Sequence, residues 1–198
     1  MHGTQRARTT SLLTSHGIDR ALFTHPDSVR WLTGFAPPLE SGVHQFAGAP
    51  PLVWYAEGAY TLLIVDGFAH DTAADLQVVR YPGYSYTAPL AGTTHFAVAF
   101  EELVTRSKGK LGVEEQHTTL LMFGELTVDF IAIDRWLVPL RMVKTPHELT
   151  ILRRNFALTD IGHTAARAAT MPGKREIDVW LEIHSAISQV AGYPVRLG

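Results

Sequence analysis

The sequence predicts an α/β fold with a mixed sheet that gives way, towards its end, to helices alone. Three observations carry this. Short apolar runs rich in β-branched and aromatic residues alternate with helix-like stretches through most of the chain. Two of these runs flank the turn pair Glu57-Gly58, the mark of an antiparallel hairpin. After Lys144 the strand-like runs stop and only amphipathic, helix-like stretches follow.

Taken in order, residues 5–15 have helical spacing that ends at Gly17, and "IDRALFT" then reads as a strand. Pro26 and Asp27 open a short helix through "SVRWLTG", with Gly34 as its stop, Arg30 on its surface and Trp31 in its core. A polar loop containing glycine and proline runs from Ala36 to Pro51. "LVWYA" and "AYTLLIV" make the hairpin, and "LQVVRY" follows as a further strand. Residues 94–106 place Phe96, Phe100 and Val104 on one helical face, "KLGVEE" reads as a short strand, and "DFIAI" is a candidate for another.

The last part differs in kind. Thr145 is a good N-cap, Pro146 fits a first helical position that needs no amide donor, and Glu148 completes a Thr-x-x-Glu capping box. A helix over 146–170 follows, broken at Met171-Pro172-Gly173, and a second spans 175–191 with Gly192 as its stop. Leu149, Leu152 and Phe156 form one apolar row on the first, continued on an adjoining row by Leu158, Ile161, Ala165 and Ala169. Ile177, Trp180, Leu181, Ile187 and Val190 make a wide stripe on the second. About fifty residues are too few for an independent core of ordinary size, so these faces need cover from elsewhere.

Composition limits the function classes. With 198 residues, 46% hydrophobic and 18% charged, the balance is that of a soluble globular protein. A net charge of -2 with scattered arginines gives no electrostatic footprint for nucleic acid, so no nucleic-acid partner is expected. The apolar run around "TLLIV" is too short to span a bilayer and the first residues lack the apolar core of a secretory signal, so no membrane partner and a cytoplasmic location are expected. Without cysteine there is no disulfide framework, thiolate metal site or cysteine nucleophile.

Few residues form a chemical constellation. "GYSYT" at 83–87 resembles a nucleophile elbow, but Thr87 stands where the tight turn needs glycine, so Ser85 reads as a loop serine. "TRSKGKLG" is not a phosphate-binding loop, because Leu111 follows Lys110 and no hydroxyl is placed for magnesium. The ten histidines show no His-Glu-x-x-His and no i, i+4 pairing. His184 reads as a hydrogen-bonded core histidine and His163 as a surface or helix-contact residue. Glu101-Glu102 and Glu114-Glu115 read as solvated charge, since neighbours on a helix or strand point apart.

"SVRWLTGF" at 28–35, "LRMVKTPHELTILRRN" at 140–155 and "MPGKREIDVWLEI" at 171–183 resemble, in order and spacing, three landmarks of the creatinase, prolidase and Xaa-Pro aminopeptidase group. Lys174-Arg175 before Glu176 departs from the small polar cap more usual there. The resemblance implies a creatinase-type N-terminal α/β domain with a ribonuclease H-like motif over 1–143, and the opening helices of an incomplete α+β pita-bread domain over 144–198. It implies that the catalytic residues and the ligands of a divalent metal pair lie outside this chain, leaving no catalytic residue, metal ligand or bound cofactor within it. A complete peptidase would hold two divalent ions and cleave before proline with metal-bound hydroxide.

The same resemblance makes the rest of the catalytic domain, in the same polypeptide or a second chain, the expected partner in a homo- or hetero-oligomer such as a dimer. It also places the segment after the first landmark over a neighbouring subunit's pocket. Phe35, His44, Gln45 and Phe46 are then substrate-binding candidates, combining aromatic bulk with hydrogen-bonding groups. The competing account of Phe35 and Phe46 is that they anchor the loop to the sheet. Two other functions stay open: a creatinase-like, metal-independent hydrolase of a C–N bond in a small guanidino or amino acid compound, and a non-catalytic oligomerisation or binding subunit.

Overall fold

Strands buried on both faces read as continuous apolar runs, and those of this chain assemble into one sheet covered on both sides. The computed structural model describes residues 2–36, 49–83, 86–87, 91–105, 108–125 and 129–195. The chain divides into two compact units, Met1–Val143 and Lys144–Gly198.

The first unit runs α1 (Gly3–Ser15), β1 (Arg20–Phe23), α2 (Pro26–Thr33), β2 (Leu52–Ala56), β3 (Ala59–Val65), β4 (Leu76–Tyr81), α3 (Gly92–Thr105), β5 (Leu111–Val113), a 3-10 turn (Glu115–His117), α4 (Leu120–Glu125), β6 (Phe130–Ala132) and α5 (Leu137–Met142). The sheet order is β4-β3-β2-β1-β5-β6. β2 pairs antiparallel with both β1 and β3, and every other pairing is parallel, so β2 alone runs against the rest. This is a mixed α/β fold, as the alternating pattern predicts.

The two-residue periodicity of strands sorts the side chains. Ala21, Phe23, Val53, Tyr55, Tyr60, Leu62 and Ile64 face a core closed by Leu13 of α1, Val29, Trp31 and Leu32 of α2, and Leu137 of α5. Leu22, Leu52, Trp54, Leu63, Leu111 and Val113 face the opposite core, closed by Phe96, Phe100 and Val104 of α3 and Met122 of α4. The β2–β3 hairpin turns on two residues with positive φ, Glu57 at 52° and Gly58 at 81°. That is the geometry whose twist matches the flanking strands.

In the second unit, α6 (Pro146–Ala169) begins with the capping box: the Thr145 Oγ1 accepts the Glu148 N–H at 3.2 Å and the Glu148 Oε2 accepts the Thr145 N–H at 2.7 Å. α7 (Glu176–Ala191) ends at Gly192 in the left-handed region, φ 80°. Arg175 holds the N-cap position of α7, and its N–H donates to Asp178 Oδ2 at 3.2 Å. The helices meet where Gly162, buried on α6, lets Ile187 approach closely. Among the described residues Phe156, Ile177, Trp180, Leu181 and Val190 remain exposed. Among the described residues no helix is long and apolar enough to cross a membrane.

Candidate functional site

α2 starts at the carboxyl end of β1 and stops at Gly34, whose φ of 79° lets its N–H close on the Arg30 carbonyl at 2.7 Å. The next residue, Phe35, donates its N–H to Thr33 Oγ1 and is buried, its ring set edgewise 5.6 Å from both Phe68 and His70. His70 and Thr33 also line a cleft of about 440 Å³, together with His2, Arg6, residues 69–73 and Leu76. Arg6 is buried, gives Nε to Asp75 Oδ2 at 2.8 Å and Nη1 to the Leu32 carbonyl at 2.8 Å, and pairs through Nη2 with Asp75 Oδ1. The guanidinium holds the Asp75 carboxyl below the usual carboxylate range. His2 Nδ1 lies 2.9 Å from the Trp31 carbonyl and packs on Gly34, where a Cβ would come within 2.6 Å of its ring.

Phe35 thus packs beside this cleft, while His44, Gln45 and Phe46 lie outside the described residues. The far end of their segment is pinned too. The Ala49 N–H donates to the Tyr81 hydroxyl at 3.1 Å, and the Ala49 carbonyl accepts from it at 3.0 Å. The chain then enters β2 beside the carboxyl ends of β1 and β3, because Val53 pairs with Phe23 and Leu52 with Leu63. Ligands of open α/β sheets bind outside this edge of the strands.

A second polar cluster stands at the same edge, and here the expectation for Glu114 fails. Glu115 is exposed, but Glu114 is 1% exposed. Its Oε2 accepts the Thr24 and His25 N–H groups, each at 2.8 Å, and its Oε1 accepts the Ser28 hydroxyl at 2.6 Å. The chain leaves β5 so that this carboxylate meets the unpaired amides leading into α2. Burial pushes the Glu114 carboxyl up to about 7, against the lowering effect of these donors. The His25 and His117 ring centroids lie 4.1 Å apart with the rings tilted by 58°, and burial and then His117 lower the His25 imidazole. Asp27 pairs with Arg141 at 2.6 Å. His25 caps α2 itself, its Nδ1 accepting the Asp27 N–H at 3.1 Å, and the one sequence signal is that the N3 residue is Ser28 rather than the glutamate of a capping box, which leaves the His25 N–H to an outside acceptor.

Of the other candidates, Arg30 is exposed, Trp31 buried, His163 exposed, and Glu101 and Glu102 exposed. His184 is half-buried rather than in a core; its Nε2 lies 2.8 Å from the Val195 carbonyl and its ring stacks on Trp180. Ser85 lies outside the described residues. Among the described residues no group of three or more His, Asp or Glu side chains is placed to hold a metal ion. The described residues therefore do not fit a metal pair.

The structure of an Xaa-Pro dipeptidase from Bacillus anthracis resembles this chain with a TM-score of 0.68 at 20% identity, over 96% of this chain and 50% of that one. An X-Pro aminopeptidase from Thermotoga maritima matches with 0.66 at 16%, over 93% and 49%. The prolidase from Pyrococcus furiosus matches with 0.60 at 18%, over 90% and 48%. At these identities the likeness establishes the fold, and the chain spans about half the length of each of these proteins. No curated protein sequence matches it. The sequence model of the creatinase/prolidase N-terminal domain matches residues 5–143, which is most of the chain. With the mixed sheet in place beneath that match, the chain belongs to the creatinase/prolidase N-terminal domain family.

Proposed function

We propose that this chain is the N-terminal portion or subunit of a pita-bread hydrolase that cleaves before proline in a peptide, with divalent metal ions held by residues outside the chain. One observation carries this above all: a fold that follows the dipeptidase, aminopeptidase and prolidase structures through at least 90% of this chain, so including helices beyond the family match at 143. In this proposal α6 and α7 open the catalytic domain, and the remainder of that domain covers Phe156, Ile177, Trp180 and Leu181. The assembly is a cytoplasmic oligomer, and the segment pinned between Phe35 and Ala49 shapes a neighbouring subunit's pocket through His44, Gln45 and Phe46. Phe35 positions that segment by its packing on Phe68 and His70.

The test joins the chain to the segment encoded next to it. We expect that segment to carry an Asp, Asp, His, Glu, Glu set, and the joined protein to hydrolyse Xaa-Pro peptides with added manganese or cobalt while residues 1–198 alone do not. A histidine without the metal set, with hydrolysis of a small guanidino compound, would replace the proposal by a creatinase-like one. The lack of any such segment would leave a binding subunit.

A further inference from the structure

α1 reaches the last residue of its own unit. Arg8 donates Nη1 to the Val143 carbonyl at 2.9 Å and Nη2 to the Leu140 carbonyl at 2.7 Å, across 135 and 132 positions of sequence. Its guanidinium also lies over the ring of Trp31, 5.9 Å from the centroid, so the planar fork is oriented from behind as it meets the carbonyls.

α5 lacks the usual means of closing its end. A helix leaves its last four carbonyls without an intrahelical donor, and a left-handed glycine just beyond commonly lets the following N–H groups turn back onto them. α2 ends that way at Gly34 and α7 at Gly192. α5 is followed instead by Val143 and Lys144, neither of which has a positive φ. Burial does not hold the last turn either: α5 packs through Leu137 and Leu140, while Met142 and Val143 are exposed. The donors at this end come from Arg8, and Arg141 ties the same turn to Asp27 of α2.

The chain is fixed again almost at once. The capping box holds the Thr145 N–H and hydroxyl at the start of α6, so one residue, Lys144, stands between the carbonyl gripped by Arg8 and the capped helix. The boundary between the two compact units falls at the same place. We infer that Arg8 locks the joint between the units: it keeps the link as short as Lys144, and without it the link lengthens into the last turn of α5. Arg8 is thus a positioning residue, acting on the second unit through the backbone at Val143. The inference concerns this chain alone and does not rest on the hydrolase proposal.

The experiment combines nitrogen-15 relaxation of the 198-residue chain with limited trypsin digestion, which reads the joint because Arg141 and Lys144 are cleavage sites. In the unmodified protein the amides of Val143, Lys144 and Thr145 should be as ordered as those of the flanking helices, and cleavage after Lys144 should be slow. Arg8→Gln removes the charged fork, so order at these amides should fall and cleavage after Lys144 should quicken about tenfold, with exchange protection in the sheet unchanged. Arg8→Lys keeps the charge but cannot bridge both carbonyls, and should behave like Arg8→Gln. Arg141→Gln breaks the tie to Asp27 and should leave the joint near its unmodified state. A joint that is already mobile in the unmodified protein, or that Arg8→Gln leaves unmoved, overturns the inference. So does equal loosening in Arg141→Gln, or a loss of protection that spreads through the sheet, since either means general fraying. If Arg8→Gln does not fold, Arg8→Lys and the unmodified protein decide.

Discussion

Arg6, in the wall of the cleft beside Phe35, forms a two-point ion pair with Asp75, one partner buried and the other 44% exposed at its side chain. Their inequality sets the outcome of breaking it. Asp75→Asn leaves a buried guanidinium with the Leu32 carbonyl and a weakened partner, and the loss should be about 1–2 kcal/mol once solvent screening at Asp75 is allowed for. The Asp75 carboxyl is depressed in the folded protein, so its contribution is present above the ordinary carboxylate range and is lost as pH falls through the folded value. Urea unfolding of both proteins should show the difference at pH 7 and show it vanish in strong acid. An equal difference at both pH values would mean that shape rather than charge holds the pair.

Gly162 and Ile187 offer a sharper case, because two effects of known sign compete. A Cβ at Gly162 would stand 2.7 Å from Ile187 Cδ1 and 3.3 Å from Cγ1. Gly162→Ala should therefore cost stability between α6 and α7, despite the roughly 1 kcal/mol that alanine gains over glycine in a helix. Removing the crowding methyl with Ile187→Val should reverse the sign, so that Gly162→Ala becomes stabilising in that background. A double-mutant cycle by thermal unfolding, followed by circular dichroism, reads the reversal directly.

Glu57 occupies the left-handed region beside Gly58, a conformation that a side chain without a short polar group tolerates poorly. Asparagine accepts it better and makes the favoured Asn-Gly pair of a two-residue hairpin. Glu57→Asn should stabilise the chain by about 0.5 kcal/mol, and Gly58→Ala, at φ 81°, should destabilise it by about 1 kcal/mol or more. Opposite shifts of the denaturation midpoint at unchanged slope would bear this out.

These three positions also mark what can be read from a sequence. The hairpin at Glu57-Gly58, the stops at Gly34 and Gly192 and the capping box at Thr145 are local chemistry, with each signal complete within about four residues. α4 and α5 are six residues each and were not legible, since helices this short form where packing of Met122 and Leu137 holds them. Nor was the parallel pairing of β3 with β4, which depends on the path of the chain between them. Glu114 was hidden for a related reason: its partners Thr24, His25 and Ser28 are about ninety residues away, and sequence offers only the adjacent Glu115, whose fate is the opposite. Gly162 likewise has no visible use until α7 lies against it.

The loop after Phe35 separates two kinds of residue that sequence reading groups together. Phe35 is 5% exposed and packs on Phe68 and His70, so Phe35→Ala should cost about 3–5 kcal/mol through the cavity it leaves. That loss should appear in the 198-residue chain without any catalytic partner, as a lower denaturation midpoint. His44 and Phe46 belong to the stretch proposed to reach a neighbouring pocket. In the joined, active protein, alanine at either should change KM or kcat several-fold while the melting temperature moves by less than about 2 °C. The two readouts separate the accounts of the loop. If His44→Ala and Phe46→Ala lower the melting temperature and leave the kinetics alone, the whole segment is an anchor and the pocket proposal fails. If Phe35→Ala instead leaves stability intact and alters only KM, the aromatic contact with His70 serves the substrate, and the cleft beside it becomes the place to look for bound peptide.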